Sequence, residues 1–176
     1  MKIITENMDE DILLNSNEDT FLTTQIGLKT ILCGGLTVGI LDGLFALVYY
    51  GLILGAETTR IFQSVAAGLL GKDSFEGGTP TFLLGILLHF VVAICIAAVY
   101  WIASLKLQFL IRRAVVCGLI YGMIAYLVMN YVVIPLSNTV SGKFSLMNFT
   151  VAIIGQALLV GLPIALITRE FSRSKK

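Results

Sequence analysis

The stretch TPTFLLGILLHFVVAICIAAVYWIASL, residues 79–105, contains no Asp, Glu, Lys or Arg. About 20 residues at 1.5 Å rise cross a hydrocarbon core of roughly 30 Å, so this run is long enough to span a bilayer as one helix. Thr79 reads as its N-cap and Pro80 as its first helical residue, where the missing N–H costs no hydrogen bond. Three more runs have the same character: 30–54, 114–134 and 146–167. Pro135 is expected to stop the third, and Pro163 to kink the last turn of the fourth. The whole chain of 176 residues is 57% hydrophobic and 13% charged, with a mean hydropathy of +0.91. The expected fold is all-α: an integral membrane four-helix bundle.

Between the first two runs, residues 59–70 make roughly 17 Å of helix, too short to cross. Arg60, Gln63, Ser64, Ala67, Gly68 and Gly71 share one face by helical spacing. Ile61, Phe62, Val65, Ala66, Leu69 and Leu70 share the other. This is the pattern of an outer amphipathic helix, interfacial or re-entrant, with Arg60, Gln63 and Ser64 outward.

Lysine and arginine set the orientation. Lys2, Lys29, Lys106, Arg112, Arg113, Arg169, Arg173, Lys175 and Lys176 fall on the side of both termini, against Arg60, Lys72 and Lys143 on the other. Both termini are therefore expected in the cytoplasm. Residues 1–25 form an acidic cytoplasmic tail, expected to be flexible up to Asn17 with a helix from Glu18. The membrane domain covers 26–170, and 171–176 form a basic tail. With no basic stretch ahead of a short apolar one, no cleaved leader is expected. Tyr49-Tyr50 and Tyr100-Trp101 lie near span ends, as interfacial anchors do.

Each span carries one strongly polar residue: Asp42, His89, Asn130 and Gln156. Such groups are costly in hydrocarbon unless they face protein or water, so they form the candidate intramembrane site. Counting 1.5 Å per residue from the span ends puts Asp42, His89 and Gln156 near one mid-membrane level, and Asn130 nearer the outer face. Small residues recur on the same faces: Gly35, Gly39 and Gly43; Gly85 and Ala93 around His89; Gly118 and Gly122. Close packing of such residues drives helix association in lipid, within the chain or between copies. If Asp42 and His89 touch, they are expected to titrate near neutral pH as a coupled unit. The competing reading is a polar bond that only fixes helix register.

Other chemistry is poorly supplied. Cys33, Cys95 and Cys117 lack metal or redox spacing and read as small core residues. The single histidine rules out bis-His haem, and no HExxH or Cys/His cluster offers a metal site. Ser64, Ser74 and Ser104 lack a GxSxG context, and the sequon Asn148-Phe149-Thr150 sits at a span end. No basic stripe with interleaved aromatics suggests nucleic acid. No catalytic residue, metal or cofactor is expected. The expected partners are the lipid bilayer and either a further copy of the chain or a membrane-complex subunit.

Gln63-Ser64-Val65-Ala66-Ala67-Gly68-Leu69-Leu70-Gly71, Gly77-Gly78 and Leu88-His89-Phe90 resemble a group of small bacterial inner-membrane proteins of uncharacterised function. The likeness continues through Tyr121-Gly122, Met129-Asn130-Tyr131 and Pro135-Leu136-Ser137, and more remotely extends to the YagU-like family. It covers roughly residues 30–168 and implies a four-helix protein of the bacterial inner membrane, with no activity attached. The leading functional expectation is a non-enzymatic accessory or transport-like module with a buried Asp–His pair. The alternatives are a scaffold whose acidic tail binds a cytosolic partner, and an intramembrane lipid- or quinone-modifying enzyme.

Overall fold

The computed structural model describes residues 2–138 and 145–173, with side chains from residue 22 onward. The first helix, α1 (Lys2–Ala46), runs on into a wide π-helical turn, Leu47–Ile53. After it come α2 (Thr58–Leu70), a 3-10 turn (Gly71–Phe75), α3 (Gly78–Lys106) and the short α4 (Phe109–Arg112). The chain continues with α5 (Ala114–Val128), a π-turn (Met129–Val133) and α6 (Ile134–Leu136). The last stretch is α7 (Leu146–Gly155), a π-turn (Gln156–Gly161) and α8 (Leu162–Arg173). No strand occurs among the described residues. Four helical stretches are long and apolar enough to cross a membrane: Leu22–Ile53, Gly78–Lys106, Ala114–Leu136 and Leu146–Arg173, called spans 1 to 4 below.

Glycine decides how closely the spans approach. Span 1 lies along α3, where a Cβ on Gly35 would run into Ile94 and one on Gly39 into Phe90. Spans 3 and 4 are closer still. Gly118 and Gly122 meet Gly161, Gln156 and Ala157 backbone to backbone, leaving no room for a side chain. Such approach maximises dispersion contact where water supplies no hydrophobic push. These stripes are used inside the chain. Outside, the bundle shows Leu36, Ile40, Leu44, Leu87, Val91 and Ile124, among other large apolar side chains.

The two prolines do less damage than the sequence implies. Pro135 sits inside α6, and span 3 runs on to Leu136. Each proline follows a π-turn by two residues, Pro135 after Val133 and Pro163 after Gly161. A proline ring clashes with the carbonyl four residues back, and a widened turn there relieves the clash while the helix continues. Span 4 extends past Ile167 to Arg173. At the start of α3 the cap is Gly77, two residues earlier than Thr79, and Pro80 still falls in the first turn, whose N–H groups need no helical partner.

Further expectations change. The first helix starts at Lys2 rather than near Glu18, because extending an existing helix is far cheaper than nucleating one. Residues 174–176 of the basic tail, and Lys143, lie outside the described residues. Tyr49 and Tyr100 are buried rather than interfacial, each hydroxyl bonded: Tyr49 to Asn148 Oδ1 at 2.9 Å, Tyr100 to the Leu110 carbonyl at 3.1 Å. Cys33 and Cys95 are exposed, and only Cys117 is buried.

The short helix α2 departs from its expected facing at four positions: Gln63, Ala67, Leu69 and Leu70. Gln63, Ala66 and Ala67 are buried against α3, while Leu69 and Leu70 are 60% and 43% exposed. Small residues win the packing face, since the Phe62 backbone approaches Gly85 too closely for any side chain there. Gln63 is 3% exposed and satisfied by the tertiary fold: its Nε2 donates to Gly78 O at 3.2 Å and Thr81 Oγ1 at 3.1 Å. Arg60 and Ser64 remain exposed, as expected. Ile61 lies near Gly51 of span 1. At its other end Asn138, just past span 3, donates from its backbone N to Gly68 O and from Nδ2 to Leu69 O. Thus α2 lies across one end of the bundle, from span 1 to span 3.

Candidate functional site

Asp42, His89 and Gln156 come together as their depths imply, lining one cavity of about 190 Å³. Val38, Val65, Val92, Ala93, Ile96, Met129 and Val160 complete its wall. All four spans contribute, together with Val65 from α2. The volume has room for several waters, and three convergent polar residues give water the partners it needs.

The pairing inside the cavity differs from the expected one. Gln156 Nε2 donates to Asp42 Oδ1 at 2.9 Å, joining span 4 to span 1. His89 Nε2 lies 2.9 Å from the Gly39 carbonyl, joining span 2 to span 1. No hydrogen bond links Asp42 to His89. A carbonyl only accepts, so His89 must carry its proton on Nε2 in this arrangement. Two proton-active atoms stay uncommitted among the described residues: Asp42 Oδ2 and His89 Nδ1. The rings of Phe62 and Phe90 stand edge-on to the imidazole, at 6.0 and 5.6 Å between centroids, and fix its plane.

The local sequence explains the positions. His89 reaches the Gly39 carbonyl because Gly39 and Gly43 leave the α1 surface bare; a Cβ on Gly43 would stand 3.5 Å from Nε2. Gln156 opens the π-turn of span 4, and Met129 opens that of span 3. Such turns recur at functional sites because they re-aim side chains. Asn130 stays apart, donating to the Tyr126 carbonyl of its own helix at 3.0 Å. Met129 and Val65 are members that sequence reading missed. Helical spacing did put Val65 on an apolar face, but its inward target exists only once α2 folds over the bundle.

The set is sparse for metal or nucleophilic chemistry. Among the described residues no group of three His, Cys, Asp or Glu side chains gathers. The arrangement can hold a proton, a hydrated cation or a few waters. Comparison with protein-family models, curated proteins and solved structures finds no match. Among the described residues the protein is all-helical, with four candidate spans and a polar cavity between them.

Proposed function

We propose that this chain is a multi-pass protein of the bacterial inner membrane, with both termini in the cytoplasm. On this reading it is a non-enzymatic accessory or transport-like module that binds and exchanges protons at Asp42 and His89. One observation carries the reading: the two residues share a cavity, and each keeps one uncommitted proton-active atom. Orientation is supported by Lys106, Arg112, Arg113, Arg169 and Arg173, which follow or precede the spans at one end, against Arg60 and Lys72 at the other.

The test uses purified protein in vesicles loaded with a pH-sensitive dye. Wild type should dissipate an imposed pH gradient faster than protein-free vesicles. Asp42→Asn and His89→Ala should fall to the protein-free rate while retaining wild-type helicity. Equal rates in wild type and both folded variants would overturn the proposal.

A second reading has its own support: the site's polar groups already tie helices together, Gln156 to Asp42 and His89 to Gly39. Here the polar set holds register, and the chain serves as a scaffold whose acidic N-terminal segment recruits a partner. It predicts variants that melt early and leave proton flux unchanged.

A further inference from the structure

A second, larger cleft of about 840 Å³ opens at the other end of the bundle from α2, where span 1 begins, span 2 ends, α4 lies and span 4 ends. It shares no lining residue with the Asp42 cavity. Its cationic side is built from Arg112, Arg169 and Arg173, and its apolar side includes Ile26, Leu105 and Trp101. Among the described residues none of these guanidinium groups has a carboxylate partner, the one ion pair being Arg60–Glu57 far away on α2. Trp101 packs on Gly27, where any Cβ would collide with its indole ring.

Three guanidinium forks with no carboxylate partner among the described residues stand beside an apolar wall. The forks match the oxygens of a phosphate, and the wall and indole match the glycerol and first methylenes of a lipid. The volume lies within the 300–1,000 Å³ typical of sites for small ligands. Basic recesses between helices at a membrane boundary are suited to anionic headgroups. We propose that this cleft binds the phosphate headgroup of an anionic phospholipid. The proposal goes beyond the proton site and would stand if that site proved purely structural.

The full chain is purified in a zwitterionic detergent, offered phosphatidylglycerol and phosphatidylcholine at equal concentration, and read by native mass spectrometry. Wild type should retain phosphatidylglycerol preferentially. Arg169→Gln should lower that retention about fivefold, and Arg112→Gln/Arg169→Gln/Arg173→Gln about a hundredfold, from the usual contribution of one arginine near an anionic surface. Arg60→Gln, at the opposite end, should leave it unchanged. Should the triple variant fail to fold, the single variants Arg169→Gln and Arg173→Gln decide, and full retention in both overturns the proposal. Competition by inorganic phosphate at equal concentration would reassign the cleft to a free anion. A marked rise in retention on Glu18→Gln/Asp19→Asn would reassign it to the chain's own acidic segment. Either result overturns the lipid assignment.

Discussion

Replacing Gly122 by alanine puts a methyl group where span 4 already lies. The new Cβ would stand 2.7 Å from Ala157 Cα, about 0.7 Å inside the 3.4 Å at which ordinary contact begins. It would also meet the Gln156 carbonyl. These neighbours are backbone, so no side chain can swing aside and the helices themselves must part. Overpacking of this kind costs about 1–3 kcal/mol, against a gain of up to about 1 kcal/mol from alanine's helix propensity. The movement reaches the site. A bond of 2.9 Å from Gln156 to Asp42, lengthened by the same amount, passes about 3.6 Å and is lost. Gly34→Ala is the matched control, since its Cβ would rest 3.5 Å from Ala97 Cβ, in normal contact. Unfolding in mixed micelles of increasing sodium dodecyl sulfate, followed by circular dichroism, should place Gly122→Ala below wild type and Gly34→Ala level with it or above. In the Gly122→Ala background, Gln156→Leu should cost less than it does in wild type. Equal stability of the two alanine variants would refute the reasoning.

Three more outcomes follow from the same contacts. Gln156→Leu strands the Asp42 carboxylate and should cost about 1–3 kcal/mol, while a double-mutant cycle with Asp42→Leu should return a coupling of about 0.6–1.7 kcal/mol; zero coupling would contradict the 2.9 Å bond. The chain has one histidine, so ¹⁵N-histidine NMR in micelles reads His89 alone, and its neutral form should be the Nε2–H tautomer; a dominant Nδ1–H form would break the link to Gly39. Asn138→Ala removes the side-chain cap on Leu69 and should destabilise the last turn of α2 by about 1 kcal/mol, visible as faster amide exchange near Leu70 with span 1 unaffected.

The four spans were legible because 20-residue apolar runs have few alternatives, and the glycine stripes correctly marked the close-packing faces. Depth was legible too: a fixed rise per residue brought Asp42, His89 and Gln156 to one level. The partners within that level were not. Choosing Gln156 rather than His89 for Asp42 depends on rotation about each helix axis, and three of the four spans contain a π-turn that shifts this rotation away from α-helical spacing. Part of the facing of α2 differed for another reason. Gln63 looks like a solvent-facing residue until Gly78 and Thr81 arrive to satisfy it, and those partners come from another helix. The basic cleft was visible only as a charge count, because Arg112 and Arg169 are brought together by the bundle and not by spacing along the chain.

The seat of α2 has a kinetic side. Its N-terminal half is locked by Gly85 and Gln63, but Leu69 and Leu70 face outward and add little inward hold. Its final turn is tied to span 3 by two hydrogen bonds from Asn138, at about 1 kcal/mol each. Val65 is one turn away and forms part of the cavity wall, but the fully buried Ala66 and Ala67 stand between it and this end, so fraying of the last turn would stop short of the cavity.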